Sequence, residues 1–495
     1  MASFYIKNFG CRATQADGAA LESQFLERGL ERAPAARDAA IVVLNTCTVT
    51  EGADKDARAS IRRVRRENPD CRILVTGCYA QRAPQELAAL PGVTWVVGNS
   101  HKHLAAEIAT SPDLSKRGFV PLAQLSGNPL AGDPQTNVDV IVGDIFAHTE
   151  LLAAPVFEAA NERTRPNLKV QDGCDNRCSF CVIPYVRGQS RSLPLERVLT
   201  EVRTLVSAGY REVVISGINL GRWGRDLQGS RQHSALSIQP ATHRFEELVG
   251  AILAETSLEK LRISSVEPMD WSDELIETMA ASSRIATHAH VPLQSASDAV
   301  LRRMHRKYRP WHYREKILKI RNAMPSAAIG ADVMVGFPGE TEAEFAETRR
   351  MIEELPFTYL HVFTYSARPG TPAAEQMNQV PVAVARERNQ VLREIAAAKK
   401  AAFLQAQVGT IVEAITLRSG DDEFTEALTD NYLKLKIPGK LVPNRWIEVR
   451  VERAEGEVLE GGRVYRTSRR EPQTEVTIKN TQKSNKIIDL QPFAG

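Results

Sequence analysis

The segment QDGCDNRCSFC, residues 171–181, places Cys174, Cys178 and Cys181 in a C-x-x-x-C-x-x-C pattern. A stable iron–sulfur cluster normally takes four cysteine thiolates, so a compact loop with three of them leaves one iron of a 4Fe-4S cluster open. A zinc knuckle or a disulfide loop is the alternative, although zinc normally needs four ligands and this stretch contains no histidine. The spacing therefore predicts a catalytic cluster whose open iron accepts a cosubstrate.

Three further cysteines each follow a short predicted strand: Cys11 in NFGCRATQ, Cys47 in NTCTVT and Cys78 in TGCYAQ. Loops after parallel strands converge on one edge of a sheet. We therefore expect these thiols to meet and to hold a second three-thiolate 4Fe-4S cluster, again with an open iron. The seventh cysteine, Cys71, is interpreted as structural, because a single cysteine usually packs as a small apolar residue.

On these motifs the chain resembles the radical S-adenosylmethionine superfamily and, more narrowly, the methylthiotransferases. The resemblance implies that S-adenosylmethionine binds the open iron beside Cys174, Cys178 and Cys181 and yields a radical that abstracts hydrogen from an unactivated C–H bond. It also implies that the cluster at Cys11, Cys47 and Cys78 carries the sulfur, so that the product bears a methylthio group.

Loops after later predicted strands supply the candidate contacts to S-adenosylmethionine. Phe180 is expected to cover the first cluster and to leave its backbone for the adenine edge. Gly217 in SGINLG allows close backbone approach, while Ser265 and Glu267 in SSVEP offer partners for the ribose or the amine. Gln294 in VPLQSASD follows the fourth strand of this series. Helix capping is the alternative role for any single Ser or Glu at a strand end.

The alternation of strands and helices predicts an α/β protein of several domains, as 495 residues require. We predict an N-terminal doubly wound α/β domain with the auxiliary cluster over 1–125 and a linker over 126–165. Residues 166–395 form six strand–helix units; the resemblance implies that they build a radical S-adenosylmethionine (β/α)6 partial barrel. Short alternating strands over 400–465 predict a small antiparallel β-barrel that resembles the TRAM RNA-binding domain, and 466–495 form a polar tail.

Basic and aromatic residues of the last barrel suggest RNA binding, because aromatic stacking beside phosphate-neutralising lysines suits single-stranded or looped RNA. These residues are Tyr432, Lys434, Lys436, Lys440, Arg445 and Trp446. An oligomerisation or lid barrel is the alternative. Two arginine-rich runs, 58–66 and 302–309, are either further RNA contacts or solvated helix faces. The net charge of +3 is too small to decide between them.

The runs at 45–50, 77–81 and 173–192 resemble the branch that methylthiolates C2 of N6-threonylcarbamoyladenosine beside the tRNA anticodon. Thr14, where the family commonly has asparagine, and Ala296, where glycine is frequent, depart from the pattern. Isopentenyladenosine in tRNA and a ribosomal-protein aspartate are the alternative substrates. A non-catalytic, zinc-containing RNA-binding protein is the alternative from another class.

The resemblance implies the tRNA anticodon stem-loop as substrate and an electron donor such as flavodoxin or ferredoxin. Two open clusters need reduced thiols, which predicts a cytoplasmic protein. The N-terminal residues MASFYIKNFG lack the features of a signal peptide, and no apolar run reaches the roughly 18 residues of a membrane span. We expect a monomer that does not associate with membranes.

Overall fold

The computed structural model describes residues 2–111, 138–148, 151, 164–227 and 244–467. Most of the predicted linker at 126–165 and nearly all of the predicted tail at 466–495 lie outside these ranges. Within them, no helix has both the length and the apolar character that crossing a bilayer requires.

The N-terminal domain is built around a parallel sheet. Its strands are β1 (Ser3–Asn8), β2 (Glu31–Arg32), β3 (Ile41–Thr46), β4 (Arg72–Gly77), β5 (Val93–Gly98) and β6 (Asp139–Ile141). Its helices are α1 (Arg12–Glu27), α2 (Glu51–Glu67), α3 (Cys78–Arg82), α4 (Pro84–Ala88) and α5 (Ala105–Thr110). The strand order is β2-β1-β3-β4-β5-β6.

Both faces of this sheet are buried, as a doubly wound fold requires. Along β3 and β4, Val42 and Ile73 pack into one apolar core, while their neighbours Val43 and Leu74 pack into a second core on the opposite face. Cys71 lies buried in the first of these cores, in agreement with a structural role. The expected α/β fold of this region is confirmed.

The central region contains the cysteine loop of residues 174–181. Its strands are β7 (Asn167–Lys169), β8 (Gln171–Asp172), β9 (Arg191–Ser192), β10 (Glu212–Ser216), β11 (Lys260–Ile263), β12 (His288–His290), β13 (Ala328–Val335) and β14 (Tyr359–Thr364). Its helices are α6 (Ile183–Arg187), α7 (Leu195–Ser207), α8 (Phe245–Glu255), α9 (Asp273–Ala281), α10 (Asp298–Arg303), α11 (Pro310–Ala323), α12 (Glu342–Glu354) and α13 (Val382–Gln405). Short 3₁₀ turns in the two domains cover Ala36–Asp38, Asn99–Leu104, Leu220–Arg222, Pro268–Asp270 and Pro372–Glu375.

Six of these strands form the expected partial barrel. Two parallel sheets, β11-β10-β7 and β12-β13-β14, are joined by single parallel bridges between Leu261 and Ile285 and between Ser265 and His290. Strands β7 and β14 do not pair with each other among the described residues, so the barrel is open between them. Helix α1 of the N-terminal domain packs against β7 at this opening.

The C-terminal domain is a closed barrel of five strands in the order β15-β16-β17-β19-β18. Its neighbouring strands are antiparallel, as expected, except β17 and β19, which pair in parallel. The strands are β15 (Ile411–Gly420), β16 (Phe424–Thr429), β17 (Lys434–Pro438), β18 (Trp446–Glu455) and β19 (Val458–Thr467). It docks on the end of the partial barrel where the strands begin. Arg262 at this end donates to the backbone oxygens of Thr429 and Asp430, at 3.4 and 3.0 Å.

This docking overturns one expectation, that Tyr432 and Trp446 are free to stack on RNA. The hydroxyl of Tyr432 accepts a hydrogen bond from Arg12 at 3.0 Å, and its ring packs on His288 with 4.9 Å between ring centroids. Trp446 is buried, with the Lys260 ammonium 4.9 Å from the centre of its ring. Both aromatic side chains therefore join the two domains, a use that their spacing in the sequence does not distinguish from nucleic-acid binding.

A buried cluster of charges, here called the Asp17 network, joins the N-terminal domain to the partial barrel. Asp17 on α1 accepts from Lys102 and Arg187 at 2.9 Å each and also from Lys169 on β7. Asp172 accepts from Lys169 and Arg187, at 2.9 Å each. Burial by itself would raise the pKa of Asp17, but Lys102, Lys169 and Arg187 hold it well below its usual value.

Replacing Asp17 with asparagine should destabilise the junction by about 3–5 kcal/mol, because three buried cations lose a shared carboxylate. The measurement is urea-induced unfolding followed by circular dichroism. Arg349→Gln, which breaks an exposed ion pair with Glu353 inside one helix, is the control and should leave the midpoint almost unchanged. An equal, small shift in both variants would contradict a structural role for the network.

Candidate active site

The thiols of Cys11, Cys47 and Cys78 converge at one edge of the N-terminal sheet. They follow β1, β3 and β4, which are neighbours in the sheet, so the three loops leave the same edge side by side. Gly10 shows how close the loops come: it has φ +86°, and an added Cβ would lie 2.6 Å from Cβ and 2.7 Å from Sγ of Cys47. Only glycine combines this backbone conformation with this contact.

Polar groups surround this first set of thiols. The hydroxyl of Thr14 lies 3.5 Å from Sγ of Cys11, and the Asn99 amide donates to Sγ of Cys78, also at 3.5 Å. Burial, followed by the neighbouring thiols of Cys78 and Cys11, raises the pKa of the Cys47 thiol to about 12. A cation bound to the three sulfurs would lower the pKa of the thiols again, because a coordinated thiol is held as the thiolate. The donor set therefore fits a metal cluster.

Cys174, Cys178 and Cys181 form the second set, in the loop that follows β8. The loop is tightly folded: Gly173 has φ +73°, and a Cβ there would lie 1.8 Å from the backbone oxygen of Gln189. Burial, followed by the other thiols of the loop, raises the pKa of Cys181 to about 12. These three thiols fit the same kind of group by the same reasoning.

Arg306 and Asn219 contact the second set of thiols, and the sequence did not single them out for this role. Arg306 donates to Sγ of Cys178 at 3.2 Å and also bonds the carboxylate of Glu267. The Asn219 amide lies 3.6 Å from Sγ of Cys174. Arg306 belongs to the basic run 302–309, for which the sequence predicts RNA contacts or a solvated helix face. For Arg306 both predictions are wrong, because this residue, in the loop that connects α10 to α11, is buried.

The predicted S-adenosylmethionine contacts lie on loops that follow strands of the central region, and each has different neighbours. Phe180 packs edge-to-face on Phe337, with 6.4 Å between ring centroids. A Cβ on Gly217 would lie 2.8 Å from Oε1 of Gln171, so the backbone approach there is close. Glu267 lines a small cleft together with Cys178 and Arg306.

Two of these candidates have contacts that the sequence did not indicate. Ser265 shares a hydrogen bond of 3.0 Å with Nδ1 of His290, a residue of the barrel interior. Gln294 has a positive φ of 61°, and its backbone N–H donates to the oxygen of Asp332 at 2.8 Å. A non-glycine residue with positive φ is uncommon and marks a position that the surrounding fold holds in place.

Helix α6 links the two sets of thiols. It begins two residues after Cys181, and Val182, Ile183 and Val186 pack against Cys78 of the first set. The Asn99 amide donates both to Sγ of Cys78 and to the oxygen of Val186, the latter at 2.7 Å. One short helix thus follows the second set in the chain and contacts the first set in space.

Comparisons with known proteins identify the family of this chain. The sequence family described as Uncharacterized protein family UPF0004 matches residues 3–98, and the Radical SAM superfamily matches residues 168–352. Threonylcarbamoyladenosine tRNA methylthiotransferase MtaB of Bacillus subtilis is 36% identical, over 89% of this chain and 91% of its own length. The protein of the same name from Aquifex aeolicus is 34% identical, over 88% and 96%.

More distant relatives include a tRNA-2-methylthio-N(6)-dimethylallyladenosine synthase of Bacillus licheniformis. It is 30% identical, over 83% of this chain and 75% of its own length. Among solved structures, the radical S-adenosylmethionine methyltransferase TsrM of Kitasatospora setae, with cobalamin and a [4Fe-4S] cluster bound, aligns with a TM-score of 0.52. The identity is 15%, and the alignment covers 76% of this chain and 77% of that one, so the two share a fold.

Gly10→Ala should separate the first set of thiols and leave the second intact. The iron content of the reconstituted protein should then fall from about eight to about four per chain, four for each cluster. Gly209→Ala is a matched control, because Gly209 also has a positive φ of +89° but has open space around its Cβ position. Unchanged iron in Gly10→Ala would show that the close approach to Cys47 is not needed.

Proposed function

Because the chain belongs to the radical S-adenosylmethionine methylthiotransferase family, we propose that it adds a methylthio group to C2 of N6-threonylcarbamoyladenosine next to the tRNA anticodon. The observation that carries the proposal is the pair of three-thiol sets linked by α6, one after the N-terminal strands and one in the partial barrel. The printed names of the Bacillus subtilis and Aquifex aeolicus relatives support the choice of nucleoside.

In this proposal Cys174, Cys178 and Cys181 would hold a 4Fe-4S cluster and leave one of its irons free for S-adenosylmethionine. When bound, the two cofactors supply reductive cleavage and hydrogen abstraction from an unactivated C–H bond, which protein acids and bases cannot perform. Arg306 places positive charge beside Cys178 and at the same time fixes the carboxylate of Glu267. That carboxylate then faces the cleft that it shares with Cys178, where it can accept from an ammonium or a ribose hydroxyl.

In this proposal Cys11, Cys47 and Cys78 would hold the auxiliary cluster, which would supply the sulfur to be transferred. The contact of α6 with Cys78 supports this division, because the helix begins just after Cys181 and sulfur must reach the carbon from which hydrogen was removed. Asn99 holds the helix in place through the oxygen of Val186 while it contacts Cys78. The cluster at Cys174, Cys178 and Cys181 would receive its electrons from a donor such as flavodoxin or ferredoxin.

RNA binding is assigned to the outer surface of the C-terminal barrel. Lys434, Lys436 and Lys440 are exposed there, and the Lys436 ammonium lies 4.8 Å from the centre of the Phe424 ring. These exposed lysines can neutralise phosphates although Tyr432 and Trp446 are engaged elsewhere. The proposed substrate is the anticodon stem-loop of tRNA, bound by a monomer in the cytoplasm.

Nucleoside analysis tests the substrate. Bulk tRNA from a strain that lacks this protein should contain N6-threonylcarbamoyladenosine without its 2-methylthio derivative, and mass spectrometry of digested tRNA would measure both. Re-expression of the wild-type chain should restore the derivative, whereas Cys47→Ala should not. Loss of the methylthio group from dimethylallyladenosine instead would assign the other nucleoside, and unchanged tRNA would contradict a tRNA substrate.

Cysteine variants test the division between the two sets of thiols. Cys174→Ala should abolish the release of 5'-deoxyadenosine from S-adenosylmethionine, because the open iron at that site is lost. Cys47→Ala should retain part of this release and yet form no methylthio product. Chromatography of reaction mixtures under anaerobic conditions would quantify both products, and equal loss of cleavage in the two variants would contradict the proposed roles.

A further inference from the structure

The concave face of the β12-β13-β14 sheet is polar, and neither set of thiols uses it. Ala289, Val291, Ala331 and Val333 pack into the main hydrophobic core. Since side chains alternate across a strand, the residues between them, such as His290 and Asp332, point to the opposite face, which lines the barrel interior. His361 on β14 lies on this interior face too, because Asp332 and His361 are directly paired in the sheet.

His290, Asp332 and His361 come together on this face. One imidazole nitrogen from each histidine and one oxygen of Asp332 all lie within 4.8 Å of one another. The three residues stand on adjacent strands, so the backbone holds their spacing. The imidazole rings of His290 and His361 are 5.7 Å apart and tilted by 39° rather than stacked face to face.

His290 is oriented so that one nitrogen is held and the other is left for a ligand. Nδ1 shares a hydrogen bond of 3.0 Å with the hydroxyl of Ser265. Nε2 lies 3.5 Å from Oδ1 of Asp332, is buried and forms no hydrogen bond within the described part of the chain. The side chain as a whole is only 11% exposed. A buried polar atom without a hydrogen bond costs about 1–3 kcal/mol, and a cation shared with the Asp332 oxygen would remove this cost.

We propose that His290, Asp332 and His361 bind a divalent cation inside the partial barrel. Two imidazoles and one carboxylate are a ligand set for first-row transition metals, and three protein ligands leave further coordination positions open. The bond from Ser265 to Nδ1 is the kind of outer contact that orients a metal-binding histidine through its second ring nitrogen. Nε2 of His290, which forms no hydrogen bond within the described residues, is the atom that would coordinate the metal.

The site has a closed floor and an open side. Tyr359 lies two residues before His361 on β14, on the same face of the sheet, and its hydroxyl is 2.7 Å from Nε2 of His288. Tyr432 of the C-terminal barrel packs on His288 and covers this end. Phe363, two residues after His361 on the same face, is 47% exposed. Open coordination positions would therefore be reached from the ends of the strands, the side on which the cysteine loop lies.

This position suggests a use that rests on the proposed function. A threonylcarbamoyl substituent carries a carboxylate and a hydroxyl, which are oxygen ligands for a divalent cation, whereas a dimethylallyl substituent carries none. A cation at this site would thus favour the first nucleoside. The binding of the metal itself does not depend on which nucleoside is the substrate.

Manganese titration of the holoenzyme tests the site. Mn²⁺ has little affinity for thiols, so it should not compete for the cysteines. The holoenzyme should bind one Mn²⁺ per chain, measured by loss of the six-line signal of free Mn²⁺ in electron paramagnetic resonance. Asp332→Asn and His361→Ala should each weaken this binding at least about tenfold, and Ser265→Ala by roughly 10–100-fold, as expected for an outer contact.

His312→Ala is the matched control, because His312 is an exposed histidine beside Trp311 on α11 and should bind Mn²⁺ like the wild type. Iron content and circular dichroism must equal those of the wild type in every variant, so that loss of binding reports the site and not unfolding. Wild-type affinity in Asp332→Asn and His361→Ala would overturn the proposal, as would the absence of any Mn²⁺ or Zn²⁺ site in the wild-type protein.

The role of the open positions is tested with nucleosides alone. N6-threonylcarbamoyladenosine should change the spectrum of the bound Mn²⁺, whereas adenosine should not. No change with either nucleoside would overturn the contact to substrate and leave the metal site standing. Because neither titration requires turnover, failure here is distinct from a failure of the proposed tRNA reaction, which nucleoside analysis of the deletion strain reports.

Discussion

The buried carboxylate of Asp17 is the constraint on which the rest of the structure depends. It lies on α1, yet two of its three cationic partners, Lys169 and Arg187, belong to the partial barrel. Burying the carboxylates of Asp17 and Asp172 with three cations is unfavourable unless these charges pair, so they favour a single way of docking the two domains. That docking brings the loops of Cys11, Cys47 and Cys78 to α6, directly after the other cysteine loop.

Much of this could be predicted from the sequence, because the signals are local. The C-x-x-x-C-x-x-C loop can be recognised from its cysteine spacing alone. The cysteines after β1, β3 and β4 meet because parallel strands present their ends at one edge of the sheet. The strand–helix units of the central region and the small C-terminal barrel follow from the alternation of strands, helices and turns, whereas the open form of the central barrel came only from the family resemblance. Even the isolated Cys71 was interpretable, since nothing around it suggests a ligand.

Contacts between distant segments could not be predicted in the same way. Arg306 lies in a run of basic residues that looks solvent-exposed, and only the folded chain reveals that its guanidinium reaches Cys178. Tyr432 and Trp446 stand beside lysines in the sequence, but their rings are covered by the partial barrel. His290, Asp332 and His361 are separated by tens of residues and meet only because β12, β13 and β14 are adjacent. Each case depends on tertiary placement, which periodicity does not report.

The hydrogen bond between Tyr432 and Arg12 ties the last domain to the residue next to Cys11. Arg12 is held from the other side as well, since the Asn167 side chain donates to its backbone oxygen at 3.1 Å. The C-terminal barrel is therefore held by direct contacts to the other domains and not by its connecting segment alone. A relative's barrel grafted onto this chain would have to supply an aromatic hydroxyl at the same place, or the loop that begins α1 would lose one of its supports.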